Sequence, residues 1–131
     1  MSSSRKRLAA IIEPMLPEKW RRIEAVTVKN LGTLDGPRVF IDYTTIGNDG
    51  VPPGQLVDGF EVSLISHLTD YAKAEDELDD AAQQFVRALD TSSEIAWSGA
   101  VKRPFGQQQY LGWMVTVQLL SPTTPTPTTQ E

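Results

Sequence analysis

A single histidine and two carboxylates are the residues of this sequence best suited to acid–base chemistry. His67 is the only histidine, and because an imidazole titrates near neutral pH it could act as a general base beside Asp42 or Asp70. No nucleophile with a supporting signature accompanies it. The chain also has no phosphate-binding loop, GxSxG, HExxH or dinucleotide fingerprint. We therefore interpret His67 as a partly exposed strand residue and predict that the protein is not an enzyme.

A run of carboxylates at residues 75–80, EDELDD, could hold a divalent cation, because hard cations prefer oxygen ligands. The run lacks the glycine and the ligand spacing of an EF-hand loop. The chain has no cysteine, which excludes a thiolate metal site, a disulfide scaffold and a cysteine nucleophile. Carboxylates are also favoured at the positive end of a helix dipole. We interpret the run as a solvated helix start and predict neither a metal nor a cofactor.

Charge is unevenly distributed along the chain, whose formal net charge is −5. Residues 1–22 hold six basic and two acidic side chains, and the rest of the chain holds six basic and fifteen acidic ones. The basic start could contact phosphates, but no aromatic interleaving and no helix-turn-helix pattern accompanies it. We predict no sequence-specific nucleic-acid binding. The asymmetry suits contact with an acidic surface, which includes the surface of another copy of the chain.

The strands that would position these side chains follow from alternating hydrophobicity. Residues 23–29 are β-rich but short, and alternation runs through residues 38–46, 60–68 and 109–120. Residues 95–101 are a further candidate strand. In the alternating segments one face is apolar. The opposite face is mixed, and it is predicted to include Phe40, Ile46, Ile65 and Met114. A monomer rarely leaves such a face bare, so we expect it to meet a partner.

Two helices are predicted from apolar residues at helical spacing. A short helix begins with Ser3 or Ser4 as its cap and ends or kinks near Glu13, because Pro14 removes a helical hydrogen bond. A long amphipathic helix spans residues 73–90. Helices and strands are partly segregated along the chain. This order predicts an α+β two-layer domain, in which a four- to five-stranded mixed or antiparallel sheet is packed by two helices.

Three segments fall outside the predicted core. Residues 47–59 form a long loop rich in glycine and proline, and residues 103–106 look like a turn. Residues 121–131, SPTTPTPTTQE, hold no large apolar side chain and are predicted to be a flexible tail. The 131 residues thus form one domain at 1–120 followed by that tail. With no apolar run of roughly 20 residues and no signal-peptide core, we expect a soluble protein.

The three tryptophans divide into one core residue and two candidate surface anchors. Trp113 falls in the apolar stripe of the last strand, whereas Trp20 and Trp97 have polar neighbours. Partly buried tryptophans are favoured anchors of protein interfaces. Packing inside the same chain is the alternative for each of them.

The whole chain from about residue 5 to 120 resembles the tail terminator proteins of long-tailed, non-contractile bacteriophages, particularly those infecting actinobacteria. The resemblance rests on a short basic helix ending in MLP and on the strand RVFIDYTTI. It continues through DGFEVSLISHLTD, the acidic helix AEDELDDAAQQFVRALD and the segment EIAWSGAVKRPFGQQQYLGWMVTVQLL. It is a pattern of chain length, order of elements and residue types rather than of invariant catalytic residues.

The resemblance implies a structural virion protein that is made in the host cytoplasm and assembles as a homo-hexameric ring. Such a ring caps the head-proximal end of the tail tube, stops tube polymerisation and joins the tail to the head connector or stopper protein. Two alternatives stay open: another head–tail joining or tail completion protein, and a small nucleic-acid-associated protein using the basic start. A ring needs two different patches on each subunit, and complementary charge helps to orient them.

Candidate contacts follow from this expectation. We predict subunit contacts at the basic, tryptophan and turn positions Arg5, Arg7, Trp20, Arg21, Arg22, Trp97, Arg103 and Phe105. We predict contact with an adjacent ring through the long loop, at Asn48, Asp49, Val51 and Gln55. No membrane partner is expected.

Overall fold

Five strands and two helices make up the chain in the computed structural model, which describes residues 4–24, 31–48 and 50–120. In chain order they are α1 (Ser4–Ile12), β1 (Ile23–Glu24), β2 (Arg38–Gly47), β3 (Val57–Ile65), α2 (Tyr71–Thr91), β4 (Ile95–Phe105) and β5 (Tyr110–Leu120). Two short 3₁₀ turns, Glu13–Met15 and Glu18–Trp20, follow α1. The α+β prediction is confirmed. The tail proposed at residues 121–131 and most of the predicted strand at residues 23–29 lie outside the described residues.

The strands form one mixed sheet in the order β1-β2-β3-β5-β4. Only β1 runs parallel to its neighbour, pairing Ile23 with Val39 and Glu24 with Phe40. The pairs β2–β3, β3–β5 and β5–β4 are antiparallel. The chain therefore places β2 and β4 toward opposite edges of the sheet, with β3 and β5 between them.

Both helices lie on the same face of this sheet, α1 against β2 and α2 against β5 and β4. The main hydrophobic core fills the space between the layers. Its largest fully buried side chains include Trp20, Phe60, Phe85, Leu8 and Leu78. The predicted stripe of the last strand is confirmed, because its apolar positions join this core: Leu111, Val115, Val117 and Leu119, with Trp113 packed against them. Neither helix is both long enough and apolar enough to cross a bilayer, in the part of the chain described here.

The first helix ends where proline predicts. It stops at Ile12, and Pro14 falls in the following 3₁₀ turn, because proline cannot donate the next helical hydrogen bond. Ser4 is the first residue of α1 rather than its cap, and Ser3, the other predicted cap, lies outside the described residues. The Oγ of Ser4 donates a 3.0 Å hydrogen bond to Oδ2 of Asp58, a buried carboxylate that also accepts from the hydroxyl of Tyr43. These contacts tie the helix to the sheet.

The long helix α2 agrees with its sequence pattern. Asp70 caps it by accepting from the backbone N–H groups of Ala72 and Lys73, as short polar residues do at helix starts. Its buried stripe is Ala74, Leu78, Ala81, Ala82, Phe85 and Leu89. The alanines on this stripe allow the helix to lie close to the sheet.

The second face of the sheet is partly covered by the chain itself. A small cluster of buried side chains there is formed by Leu34, Phe40, Ile65, Phe105 and Tyr110. The backbone N–H of Leu34 donates to the Tyr110 hydroxyl at 3.1 Å, which holds the segment before β2 in place. Phe40 and Ile65 are therefore core residues of one chain, contrary to the expectation that this whole face is open to a partner.

A β-bulge changes the side on which Ile46 lies. The register of β2 and β3 shifts between Tyr43 and Thr45, so Ile46 pairs with Asp58 and shares the helix-bearing face rather than the face predicted for it. A bulge inserts one extra residue and reverses the alternation beyond it. The Ile46 side chain is 64% exposed.

Two strand boundaries were predicted wrongly. The third strand begins at Val57 and ends at Ile65, so the predicted loop at 47–59 shrinks to residues 48–56 and His67 lies after the strand. The fourth strand runs to Phe105, so residues 103–105 are strand and the turn follows at Gly106. Pro104 is tolerated because β4 lies at the sheet edge, where a missing N–H costs no hydrogen bond within the sheet.

Candidate assembly surfaces

The residues considered for acid–base catalysis are not brought together. Asp42 lies four residues along β2 from Arg38, and Arg38 pairs with the last residue of β3. The chain leaves the sheet toward His67 at that point, so Asp42 is about 13 Å away from it. Its carboxylate is 4.0 Å from a guanidinium nitrogen of Arg5. Asp70 is engaged as the cap of α2. The buried Nδ1 of His67 has no hydrogen-bond partner among the described residues, so neither carboxylate is bonded to it there.

The acidic run at the start of α2 is used in ion pairs. Glu77 accepts from Lys19 at 2.6 Å, and Lys102 lies between Glu75 and Asp79 at 3.1 and 3.0 Å. No group of three or more potential metal ligands occurs among residues 4–24, 31–48 and 50–120. These ion pairs therefore hold α2 against the second 3₁₀ turn, Glu18–Trp20, and against β4.

A compact polar cluster joins α2 to the last two strands. Trp113 Nε1 donates to Asp79 Oδ1 at 2.9 Å, and the Lys102 ammonium lies 5.4 Å from the centre of the Trp113 ring. Partial burial raises the pKa of Asp79, but the hydrogen bonds from Trp113 and Lys102 and the lysine charge outweigh it, so the pKa is lowered overall. The hydrogen bond to Asp79 chiefly raises the pKa of Lys102. The pair is held in its charged form at neutral pH.

Beside this cluster, an open groove of about 510 Å³ runs between α2 and the β4 edge. Its apolar lining comes from Ala82, Val86, Trp97, Ala100 and Trp113. Trp97, predicted as a surface anchor, lies at this groove and donates from Nε1 to Asp90 Oδ1 at 3.2 Å. Both indoles are thus fixed to α2 by carboxylates, and each keeps part of its ring at the surface.

The basic residues of α1 belong to the helix that packs against β2, on the same face of the sheet as α2. Arg5 is half-buried beside Asp42, and Arg7 donates from Nη2 to the Leu120 carbonyl oxygen at 3.0 Å. Lys6 between them is exposed. The predicted contact residues Arg5 and Arg7 therefore reach different strands, Arg5 the strand β2 and Arg7 the end of β5.

The other predicted subunit contacts near the N-terminus serve the fold of one chain. Trp20 is 1% exposed and belongs to the main core, so its side chain has no surface to offer a neighbouring subunit. Arg21 donates from Nε to the Leu16 carbonyl at 3.0 Å, and Arg22 pairs with Asp35 at 3.1 Å. The Arg22 charge chiefly lowers the pKa of Asp35. Both arginines are exposed, whereas Trp20 takes the alternative considered for it and packs inside the same chain.

Arg103 and Phe105 lie on the sheet face opposite the helices. Phe105 is 8% exposed and fills the small second cluster, so it too is a core residue rather than a subunit contact. Arg103 is exposed, and its guanidinium lies 5.2 Å from the centre of the Phe105 ring. Of this pair, only Arg103 can reach a partner.

The loop between β2 and β3 presents polar residues and prolines to solvent. Asn48 is exposed, Val51 and Gln55 are half-buried, and the Gln55 N–H donates to the Pro52 carbonyl at 3.1 Å. Asp49 lies outside the described residues. The loop therefore has a local turn of its own, and Asn48 is the predicted contact residue most open to a partner.

Two surface features were missed in the sequence. The exposed large apolar side chains are Ile46, Leu56, Tyr71, Val101 and Leu120, and only Ile46 was placed on a candidate surface, on the wrong face. The second is Lys102, whose contacts with Glu75, Asp79 and Trp113 come from three separate segments. Their common location is a tertiary property, and no local spacing signals it.

No protein-family model matches the chain, and no curated protein matches it.

Proposed function

We propose that this chain is a structural virion protein that caps the head-proximal end of a phage tail tube as a homo-hexameric ring. The ring stops tube polymerisation and joins the tail to the head connector. The observation that carries the proposal is the opposite charge of the two helices, which pack against different strands on one face of the sheet. Helix α1, beside β2, holds Arg5, Lys6 and Arg7 and no acid, whereas α2, beside β4 and β5, is predominantly acidic.

This polarity supports a ring because a ring repeats one heterologous contact. Each subunit must offer two different patches that fit each other, and rotation from copy to copy closes the assembly. A basic helix over β2 and an acidic helix over β4 and β5, on the same face of one sheet, supply two such patches. Complementary charge steers encounter and fixes orientation more than it adds affinity. The same-chain burial of Trp20 and Phe105 leaves six predicted subunit contacts in the proposal: Arg5, Arg7, Arg21, Arg22, Trp97 and Arg103.

The loop at residues 48–56 supplies the contact with the adjacent ring. It projects between the ends of β2 and β3 and carries the exposed residue Asn48. Capping requires one ring face that matches the terminal ring of the tube and another that accepts no further tube subunit. In this proposal the loop belongs to the face that meets the tube.

The test is a polymerisation assay with the tail tube protein encoded in the same genome. The purified chain is added before and during tube growth, and negative-stain imaging records tube length while light scattering records the mass of the chain's own assembly. We expect shortened tubes with a ring of extra density at one end, in proportion to the amount of chain added. A chain that stays monomeric with tube present and leaves tube length unchanged contradicts the proposal.

A matched control separates capping from nonspecific binding. Lys6→Glu reverses an exposed charge on α1, whereas Lys73→Glu reverses an exposed charge on α2. The proposal predicts that the α1 reversal weakens ring formation and shifts its salt dependence, while the α2 reversal adds to an already acidic surface and preserves the ring. Equal effects of the two reversals contradict the charge argument.

A further inference from the structure

The groove between α2 and the edge strand β4 is an apolar site built from two rigid layers. Ala82 and Val86 line it from the helix, and Trp97, Ala100 and Trp113 line it from the sheet. The hydrogen bonds from Trp97 to Asp90 and from Trp113 to Asp79 fix both indoles. Rigid aromatic side chains in a pre-formed groove lose little conformational entropy on binding, and they are typical of interface hot spots.

An exposed apolar side chain lies at the opposite edge of the sheet from the groove. Ile46, near the end of β2, is 64% exposed. The bulge between Tyr43 and Thr45 turns it to the helix-bearing face, the same face on which the groove lies. A solvent-exposed isoleucine at a strand end and an apolar groove therefore lie at opposite edges of one face of the sheet.

The charges around the two features are complementary. Ile46 lies on the strand that α1 covers, and α1 carries the exposed Lys6. The charged residues that line the groove are Asp79 and Arg87 of α2. The same helix also carries exposed carboxylates at Asp76, Asp80 and Asp90. A second copy of this chain offers both the apolar side chain and the basic helix that the groove and its acidic border fit.

We propose that Ile46 of one copy packs into the groove of the next copy, against Trp97 and Val86, while α1 of the first copy faces the acidic surface of α2 on the second. The contact is heterologous, because each subunit uses its groove on one side and its isoleucine on the other. Repetition of one such contact closes a ring or extends a filament. The inference rests on the ring assembly of the proposed function and names the surfaces that form it.

Cysteine cross-linking tests this contact sharply, because the chain has no cysteine of its own. Ile46→Cys is combined with Ala100→Cys, which places one thiol at the protruding position and one in the groove of β4. Within a single chain β3 and β5 separate the two strands, a distance of about 14 Å. A disulfide requires Cα atoms within about 7 Å, so any bridge between the two positions joins different copies.

The matched control moves the second thiol by one residue. Val101 follows Ala100 on the same edge strand but points to the other face of the sheet and is 56% exposed. We expect the Ile46→Cys/Ala100→Cys protein to form disulfide-linked species of three or more copies under mild oxidation. The Ile46→Cys/Val101→Cys protein should form them at least tenfold more slowly, and each single variant should stop at a dimer.

Each outcome is informative about the contact and the function separately. Equal cross-linking of the two double variants, or none by the groove pair while the chain is assembled, overturns the contact and leaves capping untouched. Groove-specific cross-linking in a protein that leaves tube length unchanged supports the contact and contradicts the proposed function. A chain that is monomeric both alone and with tube present contradicts both.

Discussion

The indole Nε1 of Trp113 donates a 2.9 Å hydrogen bond to Oδ1 of Asp79, and this bond joins the strand β5 to the helix α2. Lys102 of the edge strand β4 pairs with the same carboxylate at 3.0 Å. One carboxylate thus links three elements at the border of the groove. Its charge state bears on the stability of the fold and on the shape of that groove.

Replacing Asp79 with Asn should destabilise the chain at neutral pH. The pKa of Asp79 lies below its ordinary value of 3.8 in the folded chain, so the ionised carboxylate stabilises the fold above that pH. This contribution is lost as the pH falls through the folded pKa. The side chain is 47% exposed, so solvent screening keeps the loss small, about 0.5–1 kcal/mol. Urea unfolding at pH 7 and at pH 3 measures it.

The control for this prediction is Asp80→Asn, which removes the same charge from the next residue. Asp80 is exposed, and a surface substitution of this kind changes stability by less than about 0.5 kcal/mol. The difference between wild type and Asp79→Asn should shrink at pH 3. A difference that is the same at both pH values contradicts the role assigned to the ionised carboxylate.

Gly112→Ala should destabilise the fold by about 1–3 kcal/mol. A Cβ at this position would lie 2.7 Å from a ring carbon of Phe105 and 2.8 Å from the Leu64 carbonyl oxygen. The Phe105 ring is buried in the second cluster and the carbonyl belongs to the backbone of β3, so neither moves easily. Thermal unfolding followed by circular dichroism measures the change.

Gly99→Ala is the matched substitution in the neighbouring strand. A Cβ at Gly99 meets nothing within 4 Å, and losing a glycine restricts the unfolded chain. We expect a change between zero and about 1 kcal/mol of added stability. If both alanine variants unfold at the same temperature, close packing of Phe105 over Gly112 does not limit stability.

Trp20→Ala should cost about 3–5 kcal/mol in the free energy of unfolding of a single chain. Trp20 is 1% exposed in the main core, so the loss is independent of protein concentration. An interface residue would instead show a loss that grows with assembly. Val101→Ala, at an exposed position, provides the comparison and should change stability by less than about 0.5 kcal/mol. If the loss of unfolding free energy caused by Trp20→Ala depends on protein concentration, the original assignment of Trp20 to the subunit interface is supported instead.

The sequence predicted most of the architecture because periodicity reports local geometry. The stripe of α2 and the alternation of β5 are long and regular, so their type and buried faces were correct. Errors arose where geometry depends on neighbours. The bulge that redirects Ile46 needs the register with β3, and the strand conformation of Pro104 depends on β4 being an edge. Trp20 looked like a surface residue beside Lys19 and Arg21, but a 3₁₀ turn points it inward.

The candidate surfaces were predicted less completely than the fold. The basic start and the acidic helix were visible in the sequence, yet their placement over different strands of one sheet face follows only from the tertiary structure. The groove at Trp97 and Trp113 combines residues from three elements. No local sequence pattern predicts such a site, whereas the distribution of charge can be counted along the chain.

The loop at residues 48–56 should affect capping without affecting ring formation. Asn48→Ala combined with Val51→Ser alters its exposed start and its half-buried apolar side chain while leaving β2 and β3 intact. In our proposal this loop faces the adjacent ring, so tube capping should fall at least tenfold. The mass of the ring in light scattering should be unchanged. A variant that loses the ring, or caps as well as wild type, contradicts this assignment.

The length distribution of tail tubes grown in the presence of the chain tests the central proposal most directly. Tubes are polymerised from the tail tube protein of the same genome with and without the wild-type chain, and their lengths and ends are recorded by negative-stain microscopy. We predict shorter tubes that carry a ring-shaped cap at one end only, and a shortening that is lost in the Ile46→Asp variant. Tubes of unchanged length with no added density at either end would contradict it.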